Sequence, residues 1–223
     1  MDSDNIFIGL MSGTSIDAVD AVAVKFNQDG IALIHCYSEA MPQDLKQQIL
    51  DLCQPPNDSV QLLAETDHRI GKLYAKTVLA LIAKAQLKPT QISAIGCHGQ
   101  TIRHSAPGGG NTAFSLQIGD ANIVAAETSI PVVADFRRKD MALGGQGAPL
   151  VPAFHQYAFA SPNTNRVIVN IGGISNISFV ASNDDCIGFD TGPGNLLMDL
   201  WSQIHIGTHY DNNGDWAASG EPY

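Results

Sequence analysis

Several short stretches of this chain bring together residue types that can hold an anion or move a proton. The first is Ser12-Gly-Thr-Ser15, which follows an apolar run and leads through Ile16 to Asp17, Ala18, Val19 and Asp20. At Gly13, Thr14 and Ser15 small side chains would let backbone N–H groups close on a phosphate, and the hydroxyls add donors. Asp17, just beyond, is of the type that holds Mg²⁺, a cation that takes oxygen ligands and phosphate oxygens. No Gly-Lys-Ser/Thr closes the loop, so it is not a Walker sequence, and a plain hairpin turn is the competing reading. His98, Gln100 and Thr101 follow the apolar run Ile92–Cys97, with Gly99 leaving room for close approach. Hydrogen-bonding residues at the carboxyl end of a strand are where open α/β sheets bind ligands. A polar loop that merely caps the strand competes with that reading. Asp135 and Arg137 follow a second apolar run, Ile130–Ala134. An arginine there can grip a carboxylate or phosphate through two N–H groups, against the alternative of a solvated charge run.

Two further stretches lie later in the chain. Gly172 and Gly173 separate the runs 166–171 and 174–180, which repeats the strand, small turn, strand pattern of the opening. Two such turns, one in each lobe, could clamp the phosphates of a nucleotide. Asp190 follows Ile187 and Phe189 and precedes Thr-Gly-Pro-Gly and Asn195. A carboxylate at a strand end, beside a helix start that favours an anion, suits a general base near a transferred phosphate. A turn-forming aspartate is the alternative.

The elements that position these groups read as mixed α and β. Strands are expected at 6–11, 21–24, 31–35, 92–97, 114–118, 130–134, 166–171 and 174–180, with Asp190 ending a short strand from Ile187. Turns are expected at Asp29-Gly30 and Pro55-Pro56. Helices are expected at 43–53, from Asp58-Ser59 to about Leu87, from Asp120 to Glu127, from Pro149–Pro152 onward and from 196 to 204. The long one carries a stripe of Leu62, Leu63, Ile70, Leu73, Tyr74, Val78, Leu81 and Ile82. The glycine-rich 143–152 stretch suits a seam between lobes, and 105–111 a flexible excursion. His205 and His209 have metal-like spacing but no third ligand near and read as structural, and Trp201 and Trp216 read as packing residues.

With 223 residues, 44% of them apolar and 15% charged, the chain is long enough for one large or two small globular domains. A net charge of -10 speaks against nucleic acid and anionic membrane surfaces as partners. The start Met-Asp-Ser-Asp-Asn is acidic where a signal peptide is basic, and no apolar run is long enough to span a bilayer, so a cytoplasmic location is expected. Cys36, Cys53, Cys97 and Cys186 show no paired spacing and read as reduced, mostly buried thiols.

Taken in order, Gly9–Asp17, His98-Gly-Gln-Thr101, Asp135-Phe-Arg137, Gly144–Pro152, Asn170-Ile-Gly-Gly173 and Gly188–Asn195 closely resemble bacterial anhydro-N-acetylmuramic acid kinases across essentially the whole chain. The resemblance implies the two-lobed actin/hexokinase-like (ribonuclease H-like) fold, with a first lobe over 1–160 and the start of a second over 161–223. It implies ATP and Mg²⁺. It implies hydrolysis of the 1,6-anhydro bond of 1,6-anhydro-N-acetylmuramic acid with phosphorylation of O6, in peptidoglycan recycling. The family's catalytic aspartate matches Asp190, and its phosphate loop matches Gly13 to Asp20. Family chains are longer, so an incomplete second lobe is expected, and a non-catalytic nucleotide- or partner-binding fragment is the alternative reading. A metal-dependent hydrolase lacks the ligand spacing it would need. The sequence is silent on oligomeric state, which leaves a homodimer open.

Overall fold

Ile6, Ile8 and Leu10 alternate with Phe7, Gly9 and Met11, and this period of two puts the first set on one face of a strand. That strand is the centre of the first of two compact units, Met1–Gly147 and Ala148–Tyr223. The structure is a computed structural model and describes residues 5–27, 30–54, 59–108, 112–183 and 185–221. The turn at Asp29, the Pro55-Pro56 break, Asp58, Gly109 to Asn111 and the first four residues lie outside the described residues. The division between units falls earlier than the boundary expected at residue 160, because the helix that begins at Val151 packs on the second unit's sheet.

In the first unit β1 (Ile6–Ser12), β2 (Ala18–Asn27) and β3 (Gly30–Ala40) form an antiparallel meander. Helices α1 (Gln43–Cys53) and α2 (Val60–Lys84) lead to β4 (Ile92–Cys97), which pairs parallel with β1. The hairpin β5 (Gln100–Ser105) and β6 (Phe114–Ile118) is a separate two-stranded sheet. Then come α3 (Ala121–Thr128), β7 (Val132–Ala134), parallel to β4, and α4 (Phe136–Ala142). The main sheet has the order β3-β2-β1-β4-β7.

Helix α2 supplies the core. The Ser59 side chain accepts from the N–H of Leu62, a cap worth about 1 kcal/mol. Ile70, Tyr74, Val78 and Leu81 recur at helical spacing and are fully buried, in one cluster with Ile8, Leu10, Val19 and Ala21 of the sheet. Each such apolar side chain contributes roughly 1.5–3 kcal/mol when buried.

The second unit holds α5 (Val151–Phe159), β8 (Arg166–Ile171), β9 (Ile174–Val180), β10 (Cys186–Pro193) and α6 (Leu196–Ile206), with an antiparallel sheet ordered β10-β9-β8. Buried His155 on α5 is hydrogen-bonded through Nδ1 to Ser178 Oγ of β9 at 2.8 Å. The opposite pattern holds on α6, where Ser202 is buried while Leu196, Leu197, Met198, Leu200, Trp201 and Ile204 are half exposed or more. Trp201, expected as a packing residue, is 58% exposed and packs against His205, with ring centres 4.1 Å apart and planes tilted by 55°. Cys36 is likewise exposed, while Cys97 is the buried thiol, pushed up to about 11 by burial.

Candidate active site

The opening loop is a tight turn between β1 and β2, closed by a hydrogen bond from the N–H of Ile16 to the carbonyl of Gly13 at 3.2 Å. Thr14 and Ser15 are exposed. Ile16 is 4% exposed and has φ 54°, a strained backbone for a β-branched residue, held by burying its side chain in the core. The loop that can offer hydroxyls and N–H groups to an anion thus contracts to Gly13–Asp17. Ala18, Val19 and Asp20, expected to touch a cofactor, belong to β2, which pairs with β1 on one side and β3 on the other. Val19 is fully buried, so its side chain is unavailable to a ligand.

Asp17 is bound differently from expectation. Its carboxylate accepts from Lys46 Nζ of α1 at 2.7 Å, and the same ammonium donates to the carbonyl of Ser15 at 3.0 Å. The carboxylate is thus matched to an ammonium in this structure, and among the described residues no group of three or more His, Cys, Asp or Glu could by itself hold a metal ion. Lys46 was not found from sequence. It sits in the first turn of α1 among polar residues, and only the packing of α1 beside the loop reveals it.

His98 and Arg137, named separately from the sequence, come together. The N–H of His98 donates to the carbonyl of Leu10 at 2.9 Å, which fixes it beside the end of β1. Arg137 Nη2 lies 2.9 Å from His98 Nε2. Guanidinium is only a donor, so Nε2 is the bare, accepting nitrogen, and Nδ1–H donates to the carbonyl of Gly99 at 2.8 Å. Burial, first of all, holds His98 below the usual histidine range, opposed by the Gly99 hydrogen bond and aided by the Arg137 charge. The other Arg137 terminus donates to the carbonyl of Gly147 at 2.7 Å. Gly99 has φ 77°, and a Cβ there would stand 2.9 Å from the carbonyl of Ile118.

Three expectations change. Arg137 is on α4 rather than in a strand-end loop, because Asp135 adopts the left-handed conformation (φ 62°) and turns the chain at once into a helix. Asp135, expected to emerge beside Arg137 as a site residue, is engaged by Arg138, Oδ2 to Nε at 2.6 Å. Gln100 and Thr101 start β5 instead of forming a loop. Gln100 is 1% exposed, accepts from Ser12 Oγ at 2.7 Å and points its amide nitrogen at the carbonyl of Gly13. Ser12 in turn is hydrogen-bonded to the Tyr74 hydroxyl of α2 at 2.6 Å. Gln100 therefore props the opening loop from below, where it cannot meet a ligand.

Around His98 lies a cavity of about 210 Å³, lined by Asp67, Ser115, Gln117, Asp120, Asp135 and Arg138 among others. A larger concavity of about 570 Å³, over Gly9, Met11, Val22 and Gly96, is almost wholly apolar.

In the second unit Asp190 is exposed and lies within β10, not at its end. It pairs with Asn176 of β9, which pairs with Asn170 of β8, so three polar residues form a row across one face of the sheet. The register shifts between Asp190 and Gly192, and Thr191 Oγ1 donates to the carbonyl of Ser175 at 3.1 Å. Bulges of this kind re-aim neighbouring side chains. The Gly172-Gly173 turn, expected to meet a phosphate, is tied by its carbonyls to the start of α6. Its carbonyls accept the N–H groups of Asn195 and Gly194, both at 2.9 Å, which also occupies donors at the start of α6.

Comparison with known proteins bears on what this arrangement serves. A sequence model of the anhydro-N-acetylmuramic acid kinase family matches residues 5–222. Proteins of that name from Shewanella halifaxensis and Pasteurella multocida are each 52% identical to the chain, over 98% and 96% of its length. These matches cover 59% and 56% of the two relatives, so the chain spans well under two thirds of their length. Solved structures are similar only at a distance. Component A of (R)-2-hydroxyglutaryl-CoA dehydratase from Acidaminococcus fermentans has a TM-score of 0.46 at 10% identity, covering 98% of this chain and 60% of that one. A putative N-acetylglucosamine kinase from Chromobacterium violaceum has 0.34 at 13%, covering 96% and 64%. With a family match along almost every residue and a majority of identical positions, the chain belongs to the anhydro-N-acetylmuramic acid kinase family.

Proposed function

We propose that the protein acts as an ATP-dependent kinase on 1,6-anhydro-N-acetylmuramic acid, giving N-acetylmuramic acid 6-phosphate. The reading rests on the family membership, at 52% identity across 98% of the chain. In it Asp190 accepts a proton from a water that attacks the anomeric carbon. The bond from C1 to the bridging oxygen breaks, the oxygen stays on C6, and it takes the γ-phosphoryl group as ADP departs. Gly13, Thr14 and Ser15 hold phosphate oxygens through N–H and hydroxyl donors, in keeping with phosphoryl transfer being mostly positioning and charge stabilisation. Mg²⁺ accompanies the nucleotide on its phosphate oxygens, with no ligand assigned to it in this chain. Arg137, braced by neutral His98, supplies the positive charge for the sugar's lactyl carboxylate. The substrate is a small molecule, and a cytoplasmic location follows from where ATP is made.

The test is ADP release from Mg-ATP with and without the anhydrosugar, from this chain and from the full-length Shewanella halifaxensis relative side by side. Sugar-dependent ADP from both supports the kinase. ATP binding without turnover by this chain alone makes it a nucleotide-binding fragment. No sugar-dependent release from either sinks the reading. An Arg137→Ala variant that lost ATP affinity and kept sugar affinity would remove that residue from the assignment.

A further inference from the structure

Helix α4 carries an acid, Asp140, in its last turn, and the chain folds back over it. Its Oδ2 accepts from the N–H of Gly147 at 2.8 Å, and its main-chain carbonyl accepts from the N–H of Gly145 at 2.9 Å. Two glycines make that wrapping possible. A Cβ on Gly145 would overlap the Asp140 carboxylate, and Gly147 has φ 75° and would drive a Cβ into Met141. Gly147 is buried, so its N–H and its carbonyl both need partners inside the fold. Asp140 takes the N–H. Arg137, one turn earlier on the same helix, takes the carbonyl through Nη1 at 2.7 Å.

The consequence for Arg137 is geometric. Its two terminal nitrogens rest on two acceptors, the carbonyl of Gly147 and His98 Nε2. His98 is fixed by its own N–H on the carbonyl of Leu10. The Gly147 carbonyl is only as well placed as the residue that carries it, and Asp140 holds that residue from its other side. Gripping a carboxylate through two N–H groups demands a guanidinium kept in one plane, and supporting hydrogen bonds are what keep it there. A plain tie at the end of a helix is the competing role for Asp140. Cutting a plain tie would leave Arg137 and His98 where they are.

We propose that Asp140 is a positioning residue for Arg137: by holding the N–H of Gly147 it seats the carbonyl on which the guanidinium rests, and so aims that guanidinium at the anionic group of the substrate. The identity of that group as a lactyl carboxylate rests on the kinase reading. Gly145 is the second part of the device, because only a residue without a side chain lets the Asp140 carboxylate reach Gly147.

The experiment follows the His98 ring by NMR through a pH titration and titrates 1,6-anhydro-N-acetylmuramic acid by calorimetry, for the 223-residue parent, Asp140→Ala, Asp140→Asn and Gly145→Ala. His98 reports on Arg137 without any ligand, since the Arg137 charge helps to hold its pKa down. Asp67, Asp120, Asp135 and Arg138 line the cavity beside it and are left intact in every variant. Releasing Arg137 should raise the His98 midpoint in Asp140→Ala and in Gly145→Ala, whereas loss of a carboxylate by itself would lower it. The sugar Kd should rise about five-fold in both. Asp140→Asn keeps an oxygen for the Gly147 N–H and should bring midpoint and affinity back towards the parent. Gly145→Ala displaces the carboxylate without removing it, so the proposal is tested even where Asp140→Ala fails to fold. A His98 midpoint that stays or falls in the alanine variants overturns the positioning role and leaves the kinase reading standing. A raised midpoint with parent-like sugar affinity overturns the aim at the substrate and takes Arg137 off the sugar. Absence of sugar binding by the parent overturns the kinase reading, and a raised midpoint then still supports the hold of Asp140 on Arg137.

Discussion

Gln100→Leu separates a prop from a ligand contact. Leucine is close to glutamine in size, so the cavity left behind is small, and the change is chiefly the loss of the amide. Ser12 Oγ loses its acceptor at 2.7 Å, and the weaker approaches of Nε2 to the carbonyls of Gly13 and Thr101, at 3.4 and 3.3 Å, go with it. Ser12 keeps Tyr74. A buried network cut at one member costs about 1–3 kcal/mol, and at 2 kcal/mol a chain of this length should melt roughly 4–8 °C lower. The assay is urea unfolding and thermal melting of the parent, Gln100→Leu, Tyr74→Phe and the double variant. Because the residues share Ser12, the double variant should be more stable than the sum of the singles implies, by about 0.5 kcal/mol or more. Parent-like stability in Gln100→Leu, combined with lost sugar binding, would refute the reasoning and put the amide back in contact with substrate.

Other perturbations have expected outcomes of their own. His98 has a depressed pKa in the folded state, so on acidification the unfolded chain takes up the proton first; stability should decline as pH falls below about 6.5, and His98→Gln should flatten that decline in pH-dependent urea melts. Lys46→Met releases the opening loop from α1 and should raise the KM for ATP up to about five-fold, the equivalent of the ~1 kcal/mol of an exposed pair, with the melting temperature nearly unchanged. Gly194→Ala drives a Cβ into the carbonyl oxygen of Gly172 and into Ser175 Oγ, which should destabilise the second unit by about 1–3 kcal/mol in chemical unfolding. A parent-like unfolding curve would show that the Gly172-Gly173 turn is free to move away from α6.

The parts of the fold that follow from periodicity were legible in the sequence. The alternation in β1 and the helical stripe from Ile70 to Ile82 each report burial on one face, and burial is what the sheet and α2 provide. Position along an element was harder to read where a single residue changes the chain's course. Asp135 looks like any acid after a strand, yet its left-handed backbone starts α4 and moves Arg137 onto a helix. Gly192 and Pro193 read as a strand terminator, but the bulge at Thr191 lets β10 continue past Asp190. The site residues were legible by type and not by direction. His98 and Arg137 do meet, whereas Gln100 is polar and points into the core, a fact that depends on Tyr74 and Ser12 from distant parts of the chain. Asp140 carries no local signal, since it reads as one more charge after Asp135, Arg137 and Arg138 and gains its partner only where the chain turns back at Gly147.

The wet apolar face of the second unit bears on its calorimetry. Heat-capacity change and denaturant sensitivity both scale with the surface newly exposed on unfolding. Val167, Val169, Ile171, Ile187, Phe189 and the large apolar residues of α6 are already exposed in this folded chain. Melting that unit hydrates little additional hydrocarbon, so its share of the excess heat should be a shallow, broad component. The unit around α2 should give the sharp peak and most of the m-value.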